Sequence, residues 1–343
     1  MIRLLMITSV LLSACQFGGV SDPIVERLPD NKISTSVGIV QGQLSVDQAA
    51  GSAAGVVSWL DIPYAQPPVA DLRWKATREL SSPERIIDRR EDTACVQKAS
   101  RYAGASGEGI VGSEDCLYLD VRAPADFASK QYPVMFWIHG GANTTGLKDY
   151  YDFTALVASQ DVVVVTINYR LGALGWFTHP AIQGLQEGID KTSNFGTLDI
   201  IESLKWVQKN IKKFGGDANN VTIFGESAGG HNVFALLVSP LTNGLFHKAI
   251  SQSGYTTSAP QESAYNLNAV DPLIKRGSWQ IVNKILDNPQ SDYSVDELRQ
   301  SLREIDAREF VGLYYTESLS YDEIPLTTID GVVIPREGME AAL

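Results

Sequence analysis

The sequence predicts an α/β protein with a mostly parallel central sheet, flanking helices and an antiparallel edge on its N-terminal side. Continuous apolar runs at residues 134–138 and 162–167 have the pattern of strands buried on both faces of a parallel sheet. A helix-period pattern over residues 198–214 follows them, and a third apolar run lies at residues 221–224. This alternation of strands and helices is typical of the α/β class.

The antiparallel edge is predicted from the first part of the chain. Residues 37–44 and 56–62 form short strand-like runs, and turn residues separate them. Short strands that follow one another directly in sequence pair most readily as antiparallel neighbours. We therefore expect these runs to precede the parallel part and to border it.

The helix predicted over residues 198–214 has one apolar face and one basic face. Lysines lie on the exposed side, and Gly215 and Gly216 end the helix. The strand at residues 221–224 is followed by a second helix over residues 228–238. The apolar face of the first helix consists of Ile201, Leu204, Val207 and Ile211.

Beyond residue 254 the patterns are weaker. Residues 260–323 contain helical patches, and Ser294 followed by Glu297 has the spacing of a capping box at a helix start. Residues 328–335 are expected to form a strand with a turn.

The N-terminus has the features of an export signal. Residues 1–15 combine one basic residue, about nine apolar residues and a small-residue end, which is too short an apolar run to span a bilayer. The end of this segment resembles a bacterial lipobox, with Cys15 as the lipidated residue; an ordinary cleaved signal with a chance cysteine is the alternative. Gln16 after the cysteine favours the outer membrane. Residues 16–35 are expected to be a tether and residues 36–343 the folded domain, in the cell envelope or secreted.

Composition narrows the function further. The 343 residues are 44% apolar and 20% charged, which is typical of a globular chain. The formal charge of −12 argues against nucleic acid as a partner, because phosphate binding needs clustered basic residues. Beyond Cys15, the two remaining cysteines are Cys95 and Cys116, and an exported chain could hold them as a disulfide or as two buried thiols.

A serine motif lies directly behind the strand at residues 221–224. Gly225, Glu226, Ser227, Ala228 and Gly229 match the strand–turn–helix pattern that lifts a nucleophilic serine to the crest of a tight turn. The motif alone is common by chance.

A second glycine-rich segment, residues 139–142 (HGGA), directly follows the strand at residues 134–138. Backbone N–H groups in such a loop can stabilise the oxyanion that forms when a serine attacks an acyl carbon. Alone, this segment would be a tight turn that uses glycines for positive φ. Both segments, in this order and each after a buried strand, predict an ester hydrolase.

Taken with further segments, the chain resembles the type B carboxylesterase and cholinesterase family, which has the α/β-hydrolase fold. The resemblance covers residues 36–340 and only the N-terminal two thirds of such an enzyme. The matching segments are residues 61–65 (DIPYA), 72–74 (LRW), 113–119 (SEDCLYL), 168–172 (NYRLG), 194–196 (NFG), 214–217 (FGGD) and 252–254 (QSG).

This resemblance implies roles for individual residues. Ser227 would be the nucleophile, and the backbone amides of Gly141, Ala142 and Ala228 would form the oxyanion hole. The family needs neither a metal nor an organic cofactor, so none is expected here.

The resemblance also pairs Cys95 with Cys116 as a disulfide. It places Glu226 and Ser253 near the catalytic histidine, and the alternative for both is an ordinary buried polar residue.

The expected substrate is a small-molecule carboxylic ester. Cholinesterases place a tryptophan between the two cysteines, but residues 96–115 contain none, and Asn143 replaces the aromatic residue usual after the oxyanion glycines. A quaternary ammonium group would lack its cation–π partner. The sequence leaves the natural ester and the oligomeric state open. Contact with a membrane is expected only through the N-terminal lipid.

Two parts of the family's catalytic triad have no counterpart in this sequence. The family's acid and histidine come after a turn that resembles Asp330–Gly331, and the chain ends at Leu343. We therefore expect a C-terminally truncated chain that lacks the last strands of the sheet and is inactive alone. The rival hypothesis is a non-catalytic binding or adhesion module of the same fold.

The four histidines are not expected to replace the missing base. His139, His179 and His247 lie in segments where they look structural, and His231 lies one helical turn beyond Ser227. The serine turn normally aims the hydroxyl away from that helix, toward a base on a later loop.

Overall fold

The computed structural model describes residues 25–26, 31–46, 55–102, 105–274, 276–315 and 327–343. The predicted signal peptide, Cys15 and most of the predicted tether lie outside the described residues. Within the described segments, every helix is too short or too polar to span a bilayer.

The strands are short at the N-terminal end and longer around the predicted site. In chain order they are β1 Val25–Glu26, β2 Lys32–Thr35, β3 Gly38–Gln41, β4 Gln43–Val46, β5 Gly55–Pro63, β6 Ile86–Ile87, β7 Gln97–Ser100, β8 Ala105–Val111, β9 Tyr118–Pro124, β10 Tyr132–Ile138, β11 Val163–Ile167, β12 Gly216–Glu226, β13 Lys248–Gln252, β14 Ala259–Pro260 and β15 Thr328–Ile329.

Ten α-helices occur in the described segments, and only two have more than ten residues. They are α1 Thr154–Gln160, α2 Gly172–Gly175, α3 Pro180–Gln183, α4 Phe195–Asn210, α5 Ala228–Val238, α6 Gln261–Tyr265, α7 Ser278–Val282, α8 Val295–Glu304, α9 Ala307–Gly312 and α10 Met339–Ala342.

The central sheet has eight strands in the order β1-β4-β5-β9-β11-β10-β12-β13. The pairings from β1 to β11 are antiparallel, and those among β11, β10, β12 and β13 are parallel. The α/β class and the antiparallel N-terminal side are therefore confirmed. Within the central sheet, four of the seven pairings of neighbouring strands are antiparallel, so the parallel part consists of β11, β10, β12 and β13 alone.

The sheet carries helices on both faces. Helices α4 and α5 pack on one face, against inward residues of β10 and β12 such as Phe136 and Ile223, and form the main core with them. Helix α1 covers part of the other face, where Val157 contacts Val164. A separate apolar cluster joins α7, α8 and α9 to Trp74, which stacks on Phe177.

Most individual predictions agree with the observed elements. The helix expected over residues 198–214 is α4 and a following 3-10 turn, Ile211–Phe214, and it ends at Gly215 with a φ of 79°. Ser294 caps α8 with both hydrogen bonds of a capping box.

Two segments differ from expectation. Lys32–Thr35, the last part of the predicted tether, forms β2 and pairs with β3, because alternate side chains of this segment pack inward. The folded part therefore includes residues before position 36. Residues 328–335 contain only a two-residue strand, since Asp330 accepts hydrogen bonds from the backbone of Val332, Val333 and Ile334 and closes a turn.

Candidate active site

Ser227 lies at the sharp turn between β12 and α5, as the motif predicts. Its backbone has φ 54° and ψ −119°, a conformation that is unfavourable for a residue with a side chain. The Ser227 N–H donates to the carbonyl of Gln252 over 2.8 Å, and its own carbonyl accepts from His231 N–H at 2.9 Å, within α5. The side chain is partly exposed, so its hydroxyl is within reach of a substrate.

The glycines of the motif allow elements to approach more closely than any side chain would permit. A Cβ on Gly229 would overlap the carbonyl oxygen of Ile138, at the end of β10. A Cβ on Gly140 would lie 2.7 Å from the carbonyl oxygen of Glu226 and 3.4 Å from the Cβ of Ser227. The glycine-rich segment therefore packs directly on the serine turn.

Residues 139–146, here called the oxyanion loop, contain three consecutive residues with positive φ. The φ angles are 100° at Gly141, 54° at Ala142 and 56° at Asn143. The carbonyl of Gly141 accepts hydrogen bonds from the backbone of Thr144 and Thr145, each at 3.0 Å. These bonds close a tight turn and leave the first amides of the loop out of any helix or sheet.

The three predicted oxyanion donors have free N–H groups. Among the described residues, nothing accepts a hydrogen bond from the amides of Gly141, Ala142 or Ala228. Ala228 is the first residue of α5, where helix geometry itself leaves the N–H without an intrahelical acceptor. Free donors beside a nucleophile are what stabilisation of a developing oxyanion requires.

The base of the oxyanion loop is held by a side chain that sequence reasoning did not single out as functional. Gln97 donates from Nε2 to the carbonyl of Gly146 over 2.9 Å, and the Gly146 N–H donates to Gln97 Oε1 over 2.8 Å. Gln97 is completely buried. In the sequence, the only feature that points to Gln97 is its position two residues after Cys95.

Tyr169 and Asn232 also contact the oxyanion loop. The Tyr169 hydroxyl donates to the His139 carbonyl over 2.6 Å, and the two rings stack at 4.4 Å. Asn232, on α5, donates to the side chain of Asn143. Tyr169 belongs to a segment that resembles the family, whereas no motif or pattern in the sequence marks Asn232.

Cys95 and Cys116 form a disulfide in the structure, and both are buried. Cys95 begins the segment that places Gln97 against the oxyanion loop. The bridge thus joins the start of β9 to the support of that loop.

Glu226 and Ser253 do not match the alternative of ordinary buried polar residues. Both side chains are exposed, and Ser253 has a φ of 52°. The residue that contacts the serine turn is Gln252, through its backbone carbonyl. Their predicted proximity to a catalytic histidine stays a prediction.

No histidine of the described segments contacts the Ser227 hydroxyl. His231, the one nearest in sequence, uses Nδ1 toward the Tyr255 carbonyl at 2.9 Å and Nε2 toward Thr327 Oγ1 at 2.8 Å. Burial lowers its pKa to about 4, so it is neutral at pH 7.

The other three histidines are also engaged within the fold. Burial lowers the pKa of His139 and of His179 to about 4. Their partners are the Gly140 carbonyl for His139, Ala181 N–H and Gln290 for His179, and Val221 N–H for His247.

A buried ionic cluster follows the oxyanion loop. The Lys148 ammonium is fully buried and lies within 2.9 Å of carboxylate oxygens of Asp61, Asp120 and Asp149. Burial alone would lower the pKa of Lys148, but the three carboxylates raise it. Burial would likewise raise the pKa of Asp120, yet Lys148, a hydrogen bond from Asp149 and the Arg122 guanidinium hold it well below its usual range.

Asp149 behaves oppositely within this cluster. Partial burial of this side chain, which is 42% exposed, followed by the charge of Asp120 and the hydrogen bond to it, raises the pKa of Asp149 to about 7. Across the described segments, no group of three or more His, Cys, Asp or Glu side chains is arranged to hold a metal ion.

Comparison with known proteins extends these observations. The profile described as "Carboxylesterase family" matches residues 29–342. Carboxylesterase 3 of Homo sapiens is 38% identical over 321 residues, which are 90% of this chain and 51% of that protein. Para-nitrobenzyl esterase of Bacillus subtilis is 44% identical over 218 residues, which are 63% of this chain and 43% of that protein.

Solved structures of esterases are similar to this chain in fold. A PNB esterase superimposes with a TM-score of 0.71 at 32% identity, over 91% of this chain and 60% of that one. The Geobacillus stearothermophilus carboxylesterase gives a TM-score of 0.68 at 30% identity, over 91% and 59% of the two chains. This chain spans about half the length of the curated relatives that it matches.

Proposed function

Because this chain belongs to the carboxylesterase family and has the α/β-hydrolase fold, we propose that it supplies the nucleophile and the oxyanion donors of a carboxylic-ester hydrolase. One observation carries the proposal: Ser227 sits in a strained turn beside the free amides of Gly141, Ala142 and Ala228. A backbone strain of this kind is kept only where the surrounding structure enforces it, and such sites are often functional.

The reaction follows from the chemistry of these groups. Ser227 Oγ attacks the carbonyl carbon of the ester, and the negative oxygen that results accepts hydrogen bonds from the three amides. The proton of Oγ passes to a general base and then to the departing alcohol, leaving the acyl group on Ser227. Water hydrolyses this acyl-enzyme with help from the same base. Loss of one donor of this type slows a hydrolase by roughly 100- to 1000-fold.

The described residues do not supply the base. All four histidines have other partners, and none contacts the Ser227 hydroxyl. Hydrolysis therefore requires a proton acceptor in addition to these residues. Free imidazole is small enough to act as that acceptor in an experiment.

We expect neutral carboxylic esters as substrates. Para-nitrobenzyl esterase and cocaine esterase are names of relatives, and they mark esters of alcohols with bulky groups as reasonable first substrates. Asn143 turns its side chain toward α5, and no aromatic ring stands at this position to attract a quaternary ammonium group. A metal is not part of the proposed mechanism.

Export and lipid attachment belong to the proposal as well. A disulfide between Cys95 and Cys116 fits an oxidising compartment, and Cys15 lies in a segment with the pattern of a lipoprotein signal. Palmitate incorporation should occur in the wild type and be lost in Cys15→Ala. Equal incorporation in both would remove the anchor from the proposal.

Chemical rescue tests the catalytic proposal. Purified chain is mixed with 4-nitrophenyl butyrate and increasing imidazole, beside Ser227→Ala and the control Ser203→Ala, which changes a buried serine of α4. Imidazole should raise the rate of the wild type and of Ser203→Ala at least 10-fold above that of Ser227→Ala. Equal imidazole-dependent rates in all three would reject Ser227 as the nucleophile and favour a non-catalytic binding module.

A further inference from the structure

Two buried amide side chains join the oxyanion loop to helix α5. Asn232 donates from Nδ2 to Asn143 Oδ1 over 2.8 Å, and Asn143 Nδ2 lies 3.5 Å from Asn232 Oδ1. Asn143 is 6% exposed and Asn232 is fully buried. The two side-chain amides therefore hydrogen-bond to each other in a place that is almost completely shielded from water.

The position of this pair relates it to the oxyanion donors. Asn143 directly follows Ala142, and Asn232 lies four residues, or about one helical turn, beyond Ala228. Ala142 is on the oxyanion loop and Ala228 is on α5. The pair thus forms a bridge between the two elements that carry the donors.

Asn143 is fixed from further directions. Its carbonyl accepts from the Gly172 N–H over 2.7 Å, and its Oδ1 also lies 3.3 Å from the Tyr169 hydroxyl. Its φ of 56° is in the left-handed region, which asparagine tolerates better than most residues. Ala142, beside it, has the same conformation without any side-chain support of its own.

We propose that the Asn143–Asn232 pair is a positioning element that sets the distance between the Ala142 and Ala228 amides. Ala142 has a left-handed φ and no polar side chain, so the position of its N–H relies on its neighbour Asn143, whose side-chain contacts hold the loop. Oxyanion donors act because they are already in place when charge develops. The catalytic consequence rests on the proposed function, whereas the geometric claim does not.

The geometric claim is tested without any catalysis. Both donors are alanines, so selective ¹⁵N-alanine labelling displays their amides, and Ala142→Gly and Ala228→Gly assign the signals. Asn232→Ala should shift or broaden the Ala142 signal. Asn210→Ala is the matched control, because Asn210 is an equally buried asparagine that ties α4 to Ser36. An Ala142 signal that is unchanged in Asn232→Ala, or equally changed in the control, would overturn the proposal.

The catalytic consequence is tested in the imidazole-supported assay. Asn143→Ala and Asn232→Ala should each lower kcat at least 10-fold, with KM within about 2-fold of the wild type, because a misplaced donor weakens transition-state binding. The kcat of the double variant should be no lower than that of the less active single variant, since the two residues act as one unit. Reductions in kcat that multiply in the double variant, or an increase in KM with kcat unchanged, would contradict the positioning role.

The two arms separate the possible failures. If no variant or wild type shows Ser227-dependent hydrolysis, the proposed function fails, and the Ala142 signal still decides the geometric claim. If hydrolysis occurs and Asn232→Ala keeps the wild-type kcat, the positioning role fails while the proposed function stands.

Discussion

Replacing Lys148 by methionine would remove the ammonium that lies between two buried carboxylates, leaving Arg89 on Asp61 and Arg122 on Asp120. The Lys148 side chain is fully buried, and Asp61 and Asp120 are 2% and 0% exposed. Methionine is similar in length and flexible, so it should fill the space without a large cavity. The change therefore tests charge rather than packing.

The expected loss of stability is large. Removing one partner of a buried ion pair costs about 3–5 kcal/mol, because the remaining charge is left unpaired. Here Asp61 keeps its ion pair with Arg89 at 2.6 Å and Asp120 keeps Arg122 at 3.6 Å, so the lower part of that range, about 3 kcal/mol, applies. A globular domain is stable by only about 5–15 kcal/mol, so the variant should lose at least about a fifth of that stability.

The loss should depend on pH. Lys148 holds the pKa of Asp120 below its ordinary value, so Asp120 stabilises the wild type above that value and the contribution is lost as pH falls toward and below it. Asp149 has the opposite pH dependence, because its pKa is raised to about 7. Its contribution to stability is complete below the ordinary carboxyl pKa and is lost as pH rises through 7. Without Lys148 the pKa of Asp120 should rise. Protonation of Asp120 at low pH should then remove the buried charge and recover part of the lost stability. The deficit should thus be larger at pH 8 than at pH 5.

Urea unfolding followed by tryptophan fluorescence measures this difference, since the chain has six tryptophans. The control is Lys209→Met, which removes a lysine of α4 that is 50% exposed and paired with Glu79, itself 57% exposed. A surface pair of this kind contributes about 0–1 kcal/mol. Equal midpoints for the two variants at pH 8, or a deficit of Lys148→Met that does not change with pH, would refute the reasoning.

Three further changes give separate checks. Gly229→Ala should lower the free energy of unfolding by about 1–3 kcal/mol, because the new methyl group overlaps the Ile138 carbonyl; an unchanged melting temperature would contradict the close approach. Cys116→Ser should cost about 3 kcal/mol in urea, since the disulfide to Cys95 closes a loop with a separation of 21 residues; reduction of the wild type should match it. His231→Gln should flatten the rise in stability between pH 4 and 6.5, because the folded pKa of about 4 lies below the ordinary value and stability is lost as pH falls through that window; an unchanged slope would exclude a neutral buried imidazole.

The parts of the site that could be predicted are local in sequence. The serine turn and the glycine-rich loop each follow a recognisable apolar strand, and their unusual backbone angles require glycines within a few residues of Ser227 and Gly141. The helix over residues 198–214 was equally visible, because one stretch of chain determines its amphipathic pattern.

The supports of the site could not be predicted in the same way. Gln97 and Asn232 are ordinary polar residues whose partners lie 49 and 89 positions away in the chain. The ionic cluster of Lys148 combines β5, β9 and the segment after the oxyanion loop, and no periodicity relates them. Such contacts depend on the register of the sheet, which a single sequence leaves open.

The 89-residue separation between Asn143 and Asn232 has a consequence for biosynthesis. At about 5–20 residues per second, a ribosome needs on the order of ten seconds to add the asparagine on α5 after the one on the loop. Gln97, by contrast, has already been made when Gly146 emerges. The partner for the base of the loop is therefore available as soon as the loop is made, whereas the partner for its tip exists only after α5, the helix that follows the attacking serine, has been synthesised.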